Sequence, residues 1–334
     1  MIDDFLRLPD LAVRSLGGSV VWANDEAFAA RENLITPGPS VFDVSSFGHK
    51  GKVYDGWETR RRREPVSAED RWDAAIVRLG VPGIVRGVVV DTSWFTGNYP
   101  PEVSVEGLHA ADTDSVHERT DWEPLVPRSA VRGDTENAFG VSSDRRVTHV
   151  RLRIFPDGGV ARLRVHGEAL PDPAMIDALG TVDLAATENG GLVTGCSNLF
   201  YSSPNNLLRP GPARSMGEGW ETARRRDDDN DWVEVSLAAQ ATIAVAELDT
   251  SWFLHNAPGW AVLKGRDGAG DWRGLLPVTP LRPDTRHRFR LPSVPVTAVR
   301  LDILPDGGMA RLRLHGSPTA DGRDHLAQRW SAAR

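Results

Sequence analysis

The sequence PDGGVARLRVHG at residues 156–167 recurs almost unchanged as PDGGMARLRLHG at residues 305–316, and this pair is the clearest guide to the architecture of the chain. Other segments recur around this pair in the same order along the chain. GWET at 56–59 matches GWET at 219–222, and DTSWF at 91–95 matches DTSWF at 249–253. Similar segments in a kept order predict two copies of one structural unit.

The spacing of these matches predicts the domains. The offset between the copies falls from 173 at Asp10 and Asp183 to 149 at the PDGG motifs, so the second copy lacks about 24 loop residues of the first. We therefore predict a first repeat at residues 1–168, a second, shorter repeat at 182–317 and a C-terminal tail at 318–334. The tail has no counterpart in the first copy, and a short helix or a loosely held segment fits it.

The hydrophobic pattern inside each copy is of the strand type. Residues 151–155 and 161–165 alternate with period two on either side of Asp157-Gly158, which predicts a β-hairpin. Helical periodicity appears only briefly, around residues 6–16 and 175–186. Short strands separated by frequent turns predict an all-β chain, with a β-sandwich or jelly roll in each half.

Composition excludes several classes of protein. The 334 residues carry a formal charge of −7, which argues against a nucleic-acid-binding protein. A single cysteine, Cys196, excludes a disulfide framework and a cysteine-based zinc cluster. No signal peptide and no membrane-spanning segment is recognisable, so we expect no membrane partner and a reducing cytoplasm.

The histidine pattern bears on metal binding. The nine histidines form no HxH or HExxH motif, so we predict no metal and no cofactor, with only a dispersed metal site left open.

The 11 tryptophans include three repeated pairs, which we expect in the core. These pairs are Trp57 with Trp220, Trp94 with Trp252, and Trp122 with Trp272.

Four consecutive arginines follow the first GWET motif, at residues 60–63. On a strand, Arg60 and Arg62 share one face, and a guanidinium group binds a carboxylate through two parallel hydrogen bonds. The alternative is a solvated edge strand, where charges prevent pairing with another sheet. The second copy has Ala223 in place of Arg60, which makes Arg60 specific to the first half.

A second candidate segment is DTSWFTGNYPP at residues 91–101. Residues kept in both copies are expected to serve the fold, and residues kept in one copy are candidates for a site. Thr96 and Tyr99 occur only in the first copy, whereas Asp91 and Asn98 recur and stay ambiguous. His166 and His315 recur as well, and are either acid–base groups or packed, hydrogen-bonded side chains.

Together these motifs resemble the allantoicase family. The resemblance runs from about Asp10 to Gly316 and is carried by GWETRR at 56–61, RLG at 78–80, DTSWFTGNYPP at 91–101 and PDGG at 156–159. It implies a tandem pair of jelly-roll, galactose-binding-like β-sandwiches. It also implies a homo-oligomeric hydrolase that converts allantoate and water to ureidoglycolate and urea in allantoin (purine) degradation.

The chemistry of this substrate suggests roles for the candidate residues. Allantoate carries one carboxylate and two ureido groups on a single carbon. We assign Arg60 and Arg62 to the carboxylate, and Glu58 to acid–base work with Asp91 in reserve. Amide and hydroxyl groups suit the ureido ends, and the candidates are Thr96, Asn98 and Tyr99. The alternative is a non-catalytic module that binds a carbohydrate or another small ligand, since this fold alone does not determine function.

Overall fold

The computed structural model describes residues 4–63, 67 and 71–334. The chain divides into two compact units, the first ending at Glu168 and the second beginning at Ala169. Both units consist mainly of β-strands, which confirms the all-β prediction.

The first unit contains eleven strands in its described residues. They are β1 (Ser19–Ala23), β2 (Phe47–Gly48), β3 (Gly51–Lys52), β4 (Trp57–Glu58), β5 (Asp73–Asp91), β6 (Glu102–Leu108), β7 (Glu123–Ala130), β8 (Glu136–Gly140), β9 (Arg146–Phe155), β10 (Gly159–Val160) and β11 (Arg162–Ala169). Short 3-10 helices lie at Asp4–Arg7, Arg14–Leu16, Arg31–Ile35 and Val116–Glu118.

The second unit repeats most of this order, but among its described residues it has no equivalent of β2 and β3, and it adds a short strand at Val182–Asp183 and two α-helices. Its elements are α1 (Pro173–Leu179), β12 (Val182–Asp183), β13 (Leu192–Cys196), β14 (Trp220–Glu221), β15 (Asp231–Asp249), β16 (Trp260–Arg266), β17 (Arg273–Pro280), β18 (Arg286–Arg290), β19 (Pro295–Leu304), β20 (Gly308–Met309), β21 (Arg311–Pro318) and α2 (Ala320–Ala332). Its 3-10 helices lie at Thr187–Asn189, Pro204–Leu208 and Met216–Glu218.

One long strand in each unit belongs to both layers of a sandwich. In the second unit, β19 pairs with residues 231–242 of β15, and β21 pairs with residues 241–249. The first layer continues through β16 and β17, and β18 joins the second layer. In the first unit β5 plays the same part, with β1, β9, β6 and β7 in one layer and β8 and β11 in the other. This arrangement confirms the tandem jelly-roll prediction.

The hairpin predicted around Asp157-Gly158 is wrong. Strand β9 pairs with β5 and β6, and β11 pairs with β5, so the two predicted partners do not pair with each other. Residues Gly159 and Val160 pair instead with β4, where Val160 lies opposite Trp57. The alternation was correct for strands, but it is the same for hairpin neighbours and for strands in opposite layers.

The two helical stretches are shorter than their periodicity indicated. Residues 6–16 form only 3-10 turns, and the second of these ends at Gly17 with a positive φ of 101°. Helix α1 begins after the cap residue Asp172 and ends at Leu179. The C-terminal residues form α2, capped by Thr319, and it packs against β15. No helix within the described residues is long and apolar enough to cross a membrane.

The repeated tryptophans are not all in the core. Trp57 and Trp220 are fully buried and Trp122 is nearly so, as predicted. Trp272, the counterpart of Trp122, is only half-buried, so the core prediction is wrong for it. Trp94 and Trp252 are 43% and 47% exposed, so the core prediction is wrong for this pair. The long strands end at Asp91 and Asp249, and the chain then turns through positive φ at both tryptophans. Each indole N–H donates to a loop carbonyl, that of Ser40 or Ala213.

Candidate active site

Strand β4 holds Glu58 at the edge of the first unit. Glu58 lies opposite Gly159 of β10, and its carbonyl oxygen accepts hydrogen bonds from the N–H groups of Phe28 and Ala29. The buried Trp57 indole donates to the carbonyl of Asp25 at 2.7 Å. These contacts fix the backbone of Glu58 from both sides, so its side chain extends from a rigid position.

The PDGG turn brings the loop at residues 96–101 beside Glu58. Gly158 has a φ of 144°, and a Cβ atom there would lie 2.7 Å from Pro100 N and 2.8 Å from Asn98 O. Only glycine allows this close approach of two backbones. The neighbouring Gly159 N–H donates to Asn98 O at 2.7 Å.

Glu58 and Asn98 are joined through their side chains. The Asn98 amide nitrogen donates to a Glu58 carboxylate oxygen at 2.8 Å. Burial raises the pKa of the half-buried Glu58 above its usual value, although the hydrogen bond from Asn98 opposes this. A carboxyl group in such a setting holds its proton to higher pH, which is what general acid catalysis requires.

Arg60 is anchored at one end and exposed at the other. Its backbone N–H and its Nε donate to the two carboxylate oxygens of Asp25, at 3.0 and 2.5 Å. The Arg60 side chain is 68% exposed, whereas that of Asp25 is 6% exposed. Burial alone would raise the pKa of Asp25, but hydrogen bonds from Ala27 and Arg60 outweigh it and lower the pKa. The far end of the guanidinium group stays exposed for a ligand.

Glu58 and Arg60 share a cavity of about 420 Å³. Three arginines give this cavity a positive character on an otherwise acidic protein. The lining residues are Phe28, Glu58, Thr59, Arg60, Arg61, Arg63, Asp157 and Gly158.

Sequence reasoning missed Arg61 and Arg63 as members of this cavity. Period two placed them on the face opposite Arg60. The strand ends at Glu58, however, so strand alternation does not apply to residues 60–63. The run of arginines was the correct signal, and the assumed strand was the error.

Arg62 does not line this cavity with Arg60. Its Nε donates at 2.9 Å to Asp73, a fully buried carboxylate, and its N–H donates at 2.7 Å to Asp157. The second unit repeats both contacts, with Arg225 bound to Asp231 and Asp306. Because this arginine–aspartate pair is present in both units, and because a buried carboxylate needs a charged partner, we assign the pair a structural role.

The remaining predicted residues lie on the turn that follows β5. Asp91 is buried, and its carboxylate accepts the Ser93 N–H at 2.8 Å. Asp249 makes the same contact with Ser251, which indicates a turn-forming part for both aspartates. Thr96 is exposed, and the half-buried Tyr99 ring packs against Gly133. The structure therefore brings Asn98 directly to Glu58, whereas Asp91 binds its own turn.

The second unit keeps only part of this arrangement. Asn256 donates to Glu221 at 2.7 Å, as Asn98 does to Glu58. The position of Asp25 is taken by Asn198, whose side chain accepts the Ala223 N–H at 3.1 Å. The carboxyl–amide pair is thus present in both units, but the Arg60–Asp25 ion pair occurs in the first unit alone.

Metal-ligating side chains are not grouped in the residues that the structure describes. Over 4–63, 67 and 71–334, no three His, Cys, Asp or Glu side chains form a set that could hold a metal ion.

Comparison with known proteins gives one consistent family. The family model "Allantoicase repeat" matches residues 9–170 and 182–319. A probable allantoicase of Nocardia farcinica is 60% identical over 93% of this chain and 95% of its own length. An allantoicase of Dictyostelium discoideum is 38% identical over 92% of this chain and 86% of its own length.

Solved structures agree with the sequence relatives. The crystal structure of an allantoicase from Saccharomyces cerevisiae is 32% identical to this chain, covers 94% of it and 96% of its own chain, and superposes with a TM-score of 0.80. Both repeats are matched by the family model, and the relatives cover nearly the whole chain. This chain belongs to the allantoicase family.

Proposed function

We propose that this protein hydrolyses allantoate to ureidoglycolate and urea in allantoin degradation. The cavity around Glu58 and Arg60 in the first unit is its site. The observation that carries this proposal is the pairing of a carboxyl group of raised pKa with an exposed guanidinium in one cavity. Family membership supports the choice of substrate.

Arg60 binds the substrate carboxylate in this proposal. Its Nε is held by Asp25, so the outer edge of the guanidinium is oriented before the ligand arrives. An oriented guanidinium loses less conformational freedom on binding than a free side chain would. Arg61 and Arg63 add positive charge around the same cavity.

Glu58 moves the proton in the reaction. The bond between the central carbon and one ureido nitrogen breaks, and Glu58 donates a proton to that leaving nitrogen, which departs as urea. Water then supplies a hydroxyl group to the carbon and returns a proton to Glu58. The sum is one water consumed, one urea released and an unchanged enzyme.

The other predicted residues have supporting roles in this proposal. Asn98 orients the Glu58 carboxyl group. Thr96 and Tyr99 stay proposed contacts for the ureido ends from the loop beside Asn98, although neither is among the residues that line the cavity. Arg62 and Asp91 act as positioning residues, because their described contacts are to Asp73 and Ser93. We further propose that the protein is a homo-oligomer in the cytoplasm. Light scattering of the purified protein tests the oligomeric state.

Urea release from purified protein given allantoate tests the proposal. We expect steady release, and we expect it to persist with a chelator, since the sequence contains no metal-binding motif. Loss of activity with the chelator, restored by one divalent metal, would reveal a dispersed metal site. Binding of allantoate without release of urea would instead support the alternative, a non-catalytic module that binds a small ligand.

A further inference from the structure

A second cavity, of about 310 Å³, lies in the second unit. Most of its charged residues, of both signs, lie on β18, β21 and the end of β15, and Glu188 lies on the 3-10 helix at Thr187–Asn189. The lining side chains used below are Glu188, Glu247, Asp249, Arg286, Arg288 and Arg311. None of them belongs to the site proposed in the first unit.

Three of these residues are specific to the second unit. Glu247 lies opposite Arg288, and Asp249 lies opposite Arg286, on β15 and β18. The same register in the first unit places Val89 opposite Ala138, and Asp91 opposite Glu136. Glu247, Arg286 and Arg288 thus stand where the first unit has Val89, Glu136 and Ala138. The duplicated fold does not need this charge cluster.

The two arginines hold a buried carboxylate between them. Arg286 donates to one Glu247 oxygen at 2.6 Å, and Arg288 donates to the other at 2.7 Å. The Glu247 side chain is 3% exposed. Burial alone would raise the pKa of Glu247, but the hydrogen bonds from both arginines outweigh it and lower the pKa. Glu247 therefore stays ionised and fixes the direction of both guanidinium groups.

Arg288 keeps most of its hydrogen-bonding capacity for a ligand. Its described hydrogen bond uses Nε alone, and its side chain is 66% exposed. By contrast, the guanidinium group of Arg311 donates to the backbone. Its acceptors are the carbonyl oxygens of Gly211, Glu218 and Ala310. Arg311 forms the wall of the cavity, whereas Arg288 offers two terminal nitrogens to a carboxylate.

Acceptors in the same cavity narrow the class of ligand. Glu188 lines the cavity as well, and its carboxylate suits an N–H donor. Asp249 also lies in the lining, but one of its oxygens already accepts the Ser251 N–H. A simple inorganic anion would be repelled by the Glu188 carboxylate and would offer it no N–H donor. A small acid that carries both a carboxylate and ureido or amide N–H groups satisfies both kinds of residue.

We propose that this cavity is a second, separate binding site for a small carboxylate that bears ureido or amide N–H groups. The choice of a ureido acid rests in part on the proposed function, whereas the charge arrangement of the cavity does not. Occupancy of this site would not require Glu58 or Arg60.

Calorimetric titration with hydantoate, a carboxylate with one ureido group, tests this inference. We expect Arg288→Ala to weaken one class of binding site about tenfold or more. The matched control is Arg290→Ala, two residues further along β18 and exposed, but outside the cavity lining. Arg60→Ala should leave the Arg288-dependent binding in place.

The conservative variant Arg288→Lys distinguishes a loss of ligand binding from a loss of folding. Lysine keeps a positive charge near Glu247 but cannot bind a carboxylate through two parallel hydrogen bonds. We expect it to fold, to show an unchanged melting temperature, and to bind hydantoate more weakly than the wild type.

Two results separate this inference from the proposed function. Hydantoate binding that is unaffected by Arg288→Ala and Arg288→Lys, in a protein that still hydrolyses allantoate, overturns the second site alone. Arg288-dependent binding in a protein that releases no urea supports the second site and overturns the proposed function.

Discussion

Arg60 is the residue in which the two halves of the chain differ most clearly at the candidate site. Both halves keep the glutamate–asparagine pair, but the second has Ala223 where the first has Arg60. The second unit folds with alanine at this position, so the arginine is not needed for the fold. Its ion pair with Asp25 therefore points to function.

Arg60→Ala should raise the KM for allantoate about ten- to a hundredfold, because a charge-assisted hydrogen bond to the carboxylate is lost. Steady-state kinetics and a melting curve check this together. The matched control is Arg224→Ala, at the arginine that follows Ala223 in the second unit, and it should leave KM unchanged. An unchanged KM in Arg60→Ala would remove Arg60 from the carboxylate site.

Glu58→Gln should change how stability depends on pH. Burial raises the folded-state pKa of Glu58 above 4.5, so the unfolded chain releases this proton first as pH rises. The wild type therefore loses stability relative to Glu58→Gln as pH rises from about 4.5 through the folded-state pKa. Guanidinium denaturation of both proteins at several pH values measures this difference. A difference that grows in favour of the wild type would mean that the pKa is lowered instead.

At the scale of elements, the short contact between β4, β10 and the loop at 96–101 assembles the site. Two glycines make equivalent contacts, Gly158 against Asn98 and Gly307 against Asn256. Both have positive φ, of 144° and 133°. The two units are thus alike in backbone and differ in side chains.

Gly158→Ala should destabilise the first unit by about 3 kcal/mol, because the new Cβ meets backbone atoms and the φ is unfavourable. It should also lower activity strongly by moving Asn98 away from Glu58. Gly307→Ala should cost similar stability and spare most activity. Denaturation curves and urea release, measured on both variants, check this; equal losses of activity would place function in both units.

Sequence patterns predicted the strands of each unit but not all of their partners. Alternation found β9 and β11, yet it could not tell hairpin neighbours from strands in opposite layers. A different error explains Arg61 and Arg63, which alternation placed away from Arg60, because residues 60–63 lie beyond the end of β4 and are not part of a strand. The repeat predicted Glu58 and Asn98 as common to both units, but their hydrogen bond follows from a tertiary approach at Gly158.

At the scale of the whole molecule, the chain is an acidic protein with a local positive cavity. The formal charge is −7, whereas Arg60, Arg61 and Arg63 surround the proposed substrate site. Local charge near the ligand matters more than net charge at short range, because salt screens distant charges.

Raising the ionic strength should therefore raise the KM for the anionic substrate and leave kcat nearly unchanged. The added salt screens the attraction between the arginines and the carboxylate before contact. Initial rates at several salt concentrations check this. A KM that falls with salt would mean that the acidic surface, and not the arginine cavity, dominates the encounter.

The duplication was the part of the whole molecule that the sequence predicted best. Matched motifs at falling offsets indicated two like folds, and both units have the same layer order. The second-unit cavity was not predicted, because Glu247 is separated from Arg286 and Arg288 by about 40 residues in sequence. Only the register of β15 with β18 brings them together.

The most direct measurement is the rate of urea release from allantoate by Glu58→Gln and by Glu221→Gln, which change the same position of the two repeats. We expect Glu58→Gln to lose activity about a hundredfold or more, as loss of a general acid does, and Glu221→Gln to keep nearly wild-type activity. Unimpaired release by Glu58→Gln, or an equal loss in both variants, would contradict a single active site in the first unit.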